Sequence, residues 1–115
     1  MPLRRPRPPR LLPDQLVVTG ERHHSSSIQE ILIHLAEGRL QYQCTASLIR
    51  EFDNIHDPHA VAVIVDDRRV GHIARAHSEA VAEALGKKTV ELKCIINWNG
   101  EIVNGVYRVK LFPAL

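Results

Sequence analysis

A small antiparallel β-barrel or curled sheet carrying two helices is the fold class this chain predicts. Three features carry that expectation: a strictly alternating segment over residues 40–48, an apolar run over 59–66 that is greasy on both faces, and a β-rich C-terminal third divided by Asn-Gly. About six strand-like segments joined by hairpin-type turns, against two helical ones, do not fit a parallel α/β arrangement. At 115 residues and 13.0 kDa the chain builds one modest core. Hydrophobic content of 44% and charged content of 24% exclude collagen-like and disordered classes. No apolar run approaches the roughly 20 residues of a spanning helix, so no membrane partner is expected.

Residues 1–14 form a proline- and arginine-rich tail without usable periodicity, and residues 15–115 form the folded domain. The tail reads as an extended, disordered terminus with polyproline character, and as a basic arm able to attract nucleic acid or an acidic partner. It holds four arginines against one aspartate, whereas residues 15–115 hold eleven basic and twelve acidic side chains. A near-neutral body lacks the basic stripe of a protein that tracks many phosphates. Pro6, Pro8, Pro9 and Pro13 break the place of a secretory signal's apolar region, so an intracellular, cytoplasmic setting is expected, beside the nucleoid in a bacterium.

Within the domain, QLVVT (15–19) reads as a first strand ended by Gly20. Ser27 and Glu30 stand in capping-box spacing ahead of Ile28, Ile31, Leu32 and Leu35, with Gly38 as the helix stop. In residues 40–48 the side chains Leu40, Tyr42, Cys44, Ala46 and Leu48 face one way and polar ones the other. HAVAVIVD (59–66) is apolar on both faces, as a covered central strand would be, and an Asp66-Asp67-Arg68 turn leads into a strand over 69–73. A second helix is predicted over 76–85 with Val81, Ala84 and Leu85 inward and Gly86 closing it. Two β-segments follow around Asn99-Gly100, while a second Asn-Gly at 104–105 points to a bulge or a wider turn. Cys44 and Cys94 fall in strands and read as small core hydrophobes, with a disulfide open to them if those strands are neighbours.

Seven histidines are the unusual count, and His23, His24, His56, His59 and His72 fall in or beside loops and strand ends. Their spacing matches no zinc pattern, because adjacent histidines on extended backbone point apart. No metal and no cofactor is therefore expected. Hydrolytic catalysis would draw on Ser25, Ser26 or Ser27 near His23 and His24 with Asp57 as orienter, but Ser27 has a helix to cap. No nucleophile elbow, phosphate-cradling glycine loop or dinucleotide fingerprint is present.

GERHH (20–24), EFDNIHDPHAVAV (51–63) and VGHIARAHSEAVAEAL (70–85) together resemble the HIRAN family. That module occurs near the N-terminus of helicase-like transcription factor and related Swi/Snf-type DNA remodellers, and as a free-standing bacterial protein. The resemblance rests on D-N-x-x-D-x-x-A-V-x-V at 53–63 followed by V-G-H-I at 70–73, and it spans about residues 16–112. It implies an OB-like six-stranded barrel, in agreement with the strand count. It also implies a non-enzymatic module, placed in DNA repair, that receives the 3′-hydroxyl end of single-stranded DNA, alone or beside a DNA-processing protein.

Carried over residue by residue, the resemblance makes Arg22 and Arg75 phosphate contacts, Asp57 the acceptor for the terminal hydroxyl and His72 a nearby polar contact. His23 and His56 would flank the last base, with Asn54 and His24 completing the wall. An ionised aspartate would accept from a free hydroxyl and repel a phosphorylated end. DNA-binding relatives carry tyrosines where this chain has His23, His24 and His56, which are smaller rings and poorer stacking platforms. Asp53, Asn54 and Asp57 are also ordinary loop formers, able to bond their own backbone. Two other readings stand beside the leading one: a protein-interaction domain that kept the barrel and lost DNA binding, and a metal-dependent hydrolase built on the histidines.

Overall fold

The computed structural model describes residues 16–33, 41–98 and 105–112. Its elements are β1 (Val18–Thr19), a 3-10 helix (Glu21–His24), α1 (Ser25–Leu32), β2 (Gln41–Arg50), β3 (Val61–Val65), β4 (Arg68–Ile73), α2 (Arg75–Leu85), β5 (Val90–Trp98) and β6 (Tyr107–Phe112). The strands form one sheet in the order β1-β4-β3-β2-β5-β6, every pair antiparallel. An antiparallel bridge between Val17 and Lys110 joins its two ends, so the sheet curls into a nearly closed six-stranded barrel with two helices, as the sequence predicts. Closure leaves few bare strand edges. Among the described residues no helix is long and apolar enough to cross a membrane.

Side-chain alternation explains the layering. Ala46 and Leu48 of β2 are buried, with Tyr42 and Cys44 packed against the same core, while Gln41, Gln43 and Thr45 are exposed. In β3, Val61, Val63 and Val65 are completely buried, each worth about 1.5–3 kcal/mol relative to an exposed side chain. Ala62, on the opposite face of β3, is buried as well, and α2 packs against β2 and β3. The buried apolar residues of α2 lie in one core cluster with the three valines, and β3 is covered on both faces. Asp66 and Asp67, at φ 50° and 61°, make the two-residue turn between the paired Val65 and Arg68, a left-handed geometry that Asp tolerates and that matches strand twist.

Several boundaries differ from the sequence expectation. The first helix begins at Ser25, so Ser27 is not its cap; the flanking His24 makes no side-chain cap bond, and Ser25 Oγ donates to the Arg22 carbonyl at 2.9 Å. The 3-10 helix runs directly into α1, and a helix continuing a preceding turn presents no extended N-terminus for a capping box to close. Ile28, Ile31 and Leu32 are buried as expected, while Leu35, Gly38 and Leu40 lie outside the described residues. In α2 the buried stripe is Ser78, Val81, Ala82 and Leu85, with Ala84 only partly covered, and Gly86 follows the last turn at φ 57°. The last described pair of β5 and β6 is Trp98 with Tyr107; Asn99, Gly100 and Asn104 lie outside the described residues, as do residues 1–15.

One position fixes how β1 joins the barrel. A Cβ on Gly71 would stand 2.7 Å from Val18 Cγ1 and 2.9 Å from the Thr19 carbonyl oxygen. At the same place the β3–β4 ladder slips: Val63 faces Gly71 while Ile64 faces Arg69, leaving Val70 as an extra residue on β4. Gly71→Ala is expected to cost about 1–3 kcal/mol by overpacking, read as a lower urea midpoint with unchanged slope. An unaltered midpoint would show that β1 does not approach β4 this closely.

Candidate functional site

The polar stretch after β2 is organised by its own side chains. The Glu51 amide donates to the Ala60 carbonyl at 2.8 Å and closes the loop base next to the Arg50–Val61 pair. Inside the loop Asn54 Oδ1 accepts from the amides of His56 (2.9 Å) and Asp57 (3.0 Å), and Asp57 Oδ1 accepts from the His59 amide at 2.9 Å. These are Asx turns, which hold a short loop in one shape by replacing backbone partners with side-chain oxygens. Asn54 and Asp57 are thus structural in part. Asn54 Oδ1 is occupied twice, whereas an ionised Asp57 keeps acceptor capacity beyond its one bond.

Asn54 Nδ2 also reaches Glu51 Oε1 at 3.4 Å, and that carboxylate is the hub of the region. His72 Nε2 lies 2.7 Å from Oε1, and Arg69 forms an ion pair with Oε2 at 2.5 Å. The Glu51 side chain is only 14% exposed. Burial pushes its pKa up, but the hydrogen bond from His72, the Arg69 and His72 charges and the Asn54 amide outweigh it and hold the carboxyl below its ordinary range. Because Glu51 stays ionised, His72 Nε2 is the donor in their bond. The His72 ring in turn sits against His24, with centroids 5.8 Å apart and planes tilted by 41°. Burial, then the neighbouring His72, Arg69 and His23, lower the His24 pKa against the opposing pull of Glu51, so His24 is neutral near pH 7.

The structure therefore brings together three segments: the 3-10 helix through His24, the loop through Glu51 and Asn54, and β4 through Arg69 and His72. Asn54, His56 and Asp57 share one loop; Arg22 and His23 precede His24 on the 3-10 helix. Arg22, His23, His56 and Arg75 are exposed and make no side-chain hydrogen bond or ion pair among the described residues. Arg75 opens α2 and joins none of the cluster's contacts. Two surface depressions lie elsewhere, one lined by Cys44, Cys94 and Phe112 among others, the other by Leu16, Glu21 and Arg108 among others; neither includes a sequence-predicted site residue. Among the described residues no three His, Cys, Asp or Glu side chains are placed to hold a metal ion.

Glu51 and Arg69 are not among the site residues that the sequence predicts. Arg69 and His72 are three apart, which in a regular strand sends them to opposite faces; the extra residue at Val70 restores both to one face, where they meet Glu51. The bulge leaves no mark in the sequence beyond Gly71. Because Glu51 and His24 both titrate below their ordinary values of 4.5 and 6.5, the unfolded chain binds more protons in each window and stability must rise with pH there. Acidification is expected to lower the melting temperature first below pH 6.5, as His24 is driven to charge, and again below 4.5, as Glu51 is neutralised. Glu51→Gln should remove the second step and cost about 1–3 kcal/mol at neutral pH through lost charged hydrogen bonds. An acid profile identical in wild type and variant would contradict this account.

The comparisons bear on the same region. The HIRAN domain family model matches residues 16–108, which contain the 3-10 helix, the loop, β4 and α2. No curated protein and no solved structure gives a match.

Proposed function

Because the chain belongs to the HIRAN family, we propose that this domain captures the 3′-hydroxyl end of single-stranded DNA. HIRAN is a family of non-catalytic binding domains, and membership is consistent with a nucleic-acid-binding module. The observation that carries the finer reading is the contact chain His24–His72–Glu51–Asn54, which sets the 3-10 helix beside the β2–β3 loop on one rim of the barrel. Those two segments bear most of the residues the reading needs.

In this proposal Arg22 and Arg75, exposed and without ion pairs among the described residues, neutralise the last phosphates. His23 and His56 flank the terminal base, and Asp57 accepts the free hydroxyl with the carboxylate capacity left after its bond to the His59 amide. His24, neutral near pH 7, and Asn54 complete the wall, with His72 a nearby polar contact. The charge of Glu51 is met by Arg69 and His72, so it does not leave an unpaired anion beside the strand. A near-neutral body suits a site that reads one or two nucleotides, since few counterions are released.

A second reading, a protein-interaction domain, is favoured by one observation. Ile55 is 91% exposed and Phe52 51% exposed on the same loop, with the Arg50 guanidinium 4.5 Å above the Phe52 ring. Single exposed apolar residues are common on soluble proteins, which leaves this the weaker case.

Fluorescence polarisation with matched oligonucleotides ending in a 3′-hydroxyl or a 3′-phosphate separates the two. End capture predicts a preference for the hydroxyl on the order of tenfold or more, the value of one charge-assisted hydrogen bond. Asp57→Asn should erase that preference while the fold stands, because Asn retains the oxygen that accepts from His59. Equal binding of both ends by the wild type rejects end capture, and absence of binding to either favours the protein-interaction reading.

A further inference from the structure

Cys44 and Cys94 are free thiols that face each other directly across the β2–β5 ladder. Directly opposed residues of antiparallel strands have Cα atoms about 4.5–5.5 Å apart, inside the roughly 4.4–6.8 Å range of disulfides. Both point toward the barrel interior: Cys94 is 1% exposed within the core, and Cys44 packs against that core while staying partly open to solvent. Cys44 Sγ donates to the Cys94 carbonyl at 3.6 Å, so the first side chain is already turned toward the second residue. Both also line a surface depression between β2, β5 and β6.

We propose that Cys44 and Cys94 form a reversible, peroxide-responsive thiol pair, in which Cys44 is oxidised first and Cys94 resolves it to a cross-strand disulfide. The Cys44 thiolate attacks one oxygen of a hydroperoxide, the O–O bond breaks, and sulfenic acid forms at Cys44 with release of water when the oxidant is hydrogen peroxide. The Cys94 sulfur then attacks the Cys44 sulfur, the S–O bond breaks, and the departing hydroxide takes the Cys94 proton as a second water. Two thiols and one peroxide thus become one disulfide and two waters, with sulfur oxidised and peroxide oxygen reduced. The order of events follows from the environments. Cys44 is partly open to solvent and meets the oxidant first, whereas Cys94 is 1% exposed. Burial pushes the Cys94 thiol up, which makes it the proton-bearing partner. Cross-strand partners stand a little farther apart at Cβ than a relaxed disulfide requires, so the bond should yield readily to a dithiol reductant.

The test is mass spectrometry of the purified full chain after hydrogen peroxide treatment. A loss of two hydrogens, a Cys44–Cys94 linked peptide and full reversal by dithiothreitol are expected in the monomer. Cys94→Ala should stop at a Cys44 sulfenic acid that dimedone traps, whereas Cys44→Ala should leave Cys94 unmodified under the same exposure. Retention of both thiols in the wild type, or disulfides formed only between chains, would overturn the proposal. So would dimedone labelling that falls on Cys94 rather than Cys44. Should either variant fail to fold, the linked peptide in the wild type decides the matter alone.

Discussion

The absence of a side chain at Gly71 is the constraint on which the rest of this structure depends. It lets the Thr19 carbonyl and the Val18 side chain come against β4, where a methyl group would leave less than 3 Å to either. The pairing of Val18 with Ile73 and Thr19 with His72 then fixes where the chain emerges, and Gly20, at φ 79°, turns it at once into the 3-10 helix. His24 lies against His72 because of that short path. The extra residue beside Gly71 puts Arg69 and His72 on one face. One glycine thus joins the closure of the barrel to the composition of its rim.

Glu51 shows how a carboxylate can be nearly covered without losing its charge. Removing it from water is unfavourable, and the surroundings answer with donors from three residues: His72, Arg69 and Asn54. Two of these donors come from β4 and one from the loop, so the carboxylate also ties the loop to the barrel wall. The polar residues after β2 are therefore not a set of idle ligands; Asn54 and Asp57 spend oxygens on the loop's own amides. Rigidity and recognition draw on the same side chains here. Substitutions that preserve the accepting oxygen and change only charge are the informative ones.

Much of this was legible in the sequence because it follows from period and burial. The alternation around Tyr42–Leu48 gave β2, the two-sided greasiness of Val61–Val65 gave a covered central strand, and the HIRAN-like motifs pointed to the segments that meet at His24, Asn54 and His72. What failed was local chemistry overridden by context. Ser27 had the spacing of a cap, yet a 3-10 helix upstream moved the helix start to Ser25. Glu51 read as one acid among several, because its importance comes from Arg69, eighteen residues away in sequence and aimed by a bulge that no periodicity announces. The opposition of Cys44 and Cys94 likewise needed register, since a slip of one residue would put the two on opposite faces.

The join between the first and last strands of the sheet has a dynamic consequence. That seam carries an isolated backbone bridge from Val17 to Lys110, whereas β2 and β5 pair over eight consecutive positions. Cooperative units open from their least-bonded edge, so amide protons bordering the seam will trade with solvent long before those of the β2–β5 ladder. Transient parting there would also loosen Glu21, whose carboxylate accepts from the Val109 amide at 3.3 Å and fastens the 3-10 helix to β6. The rim would then breathe with the barrel's own zipper, while the opposite wall stays shut.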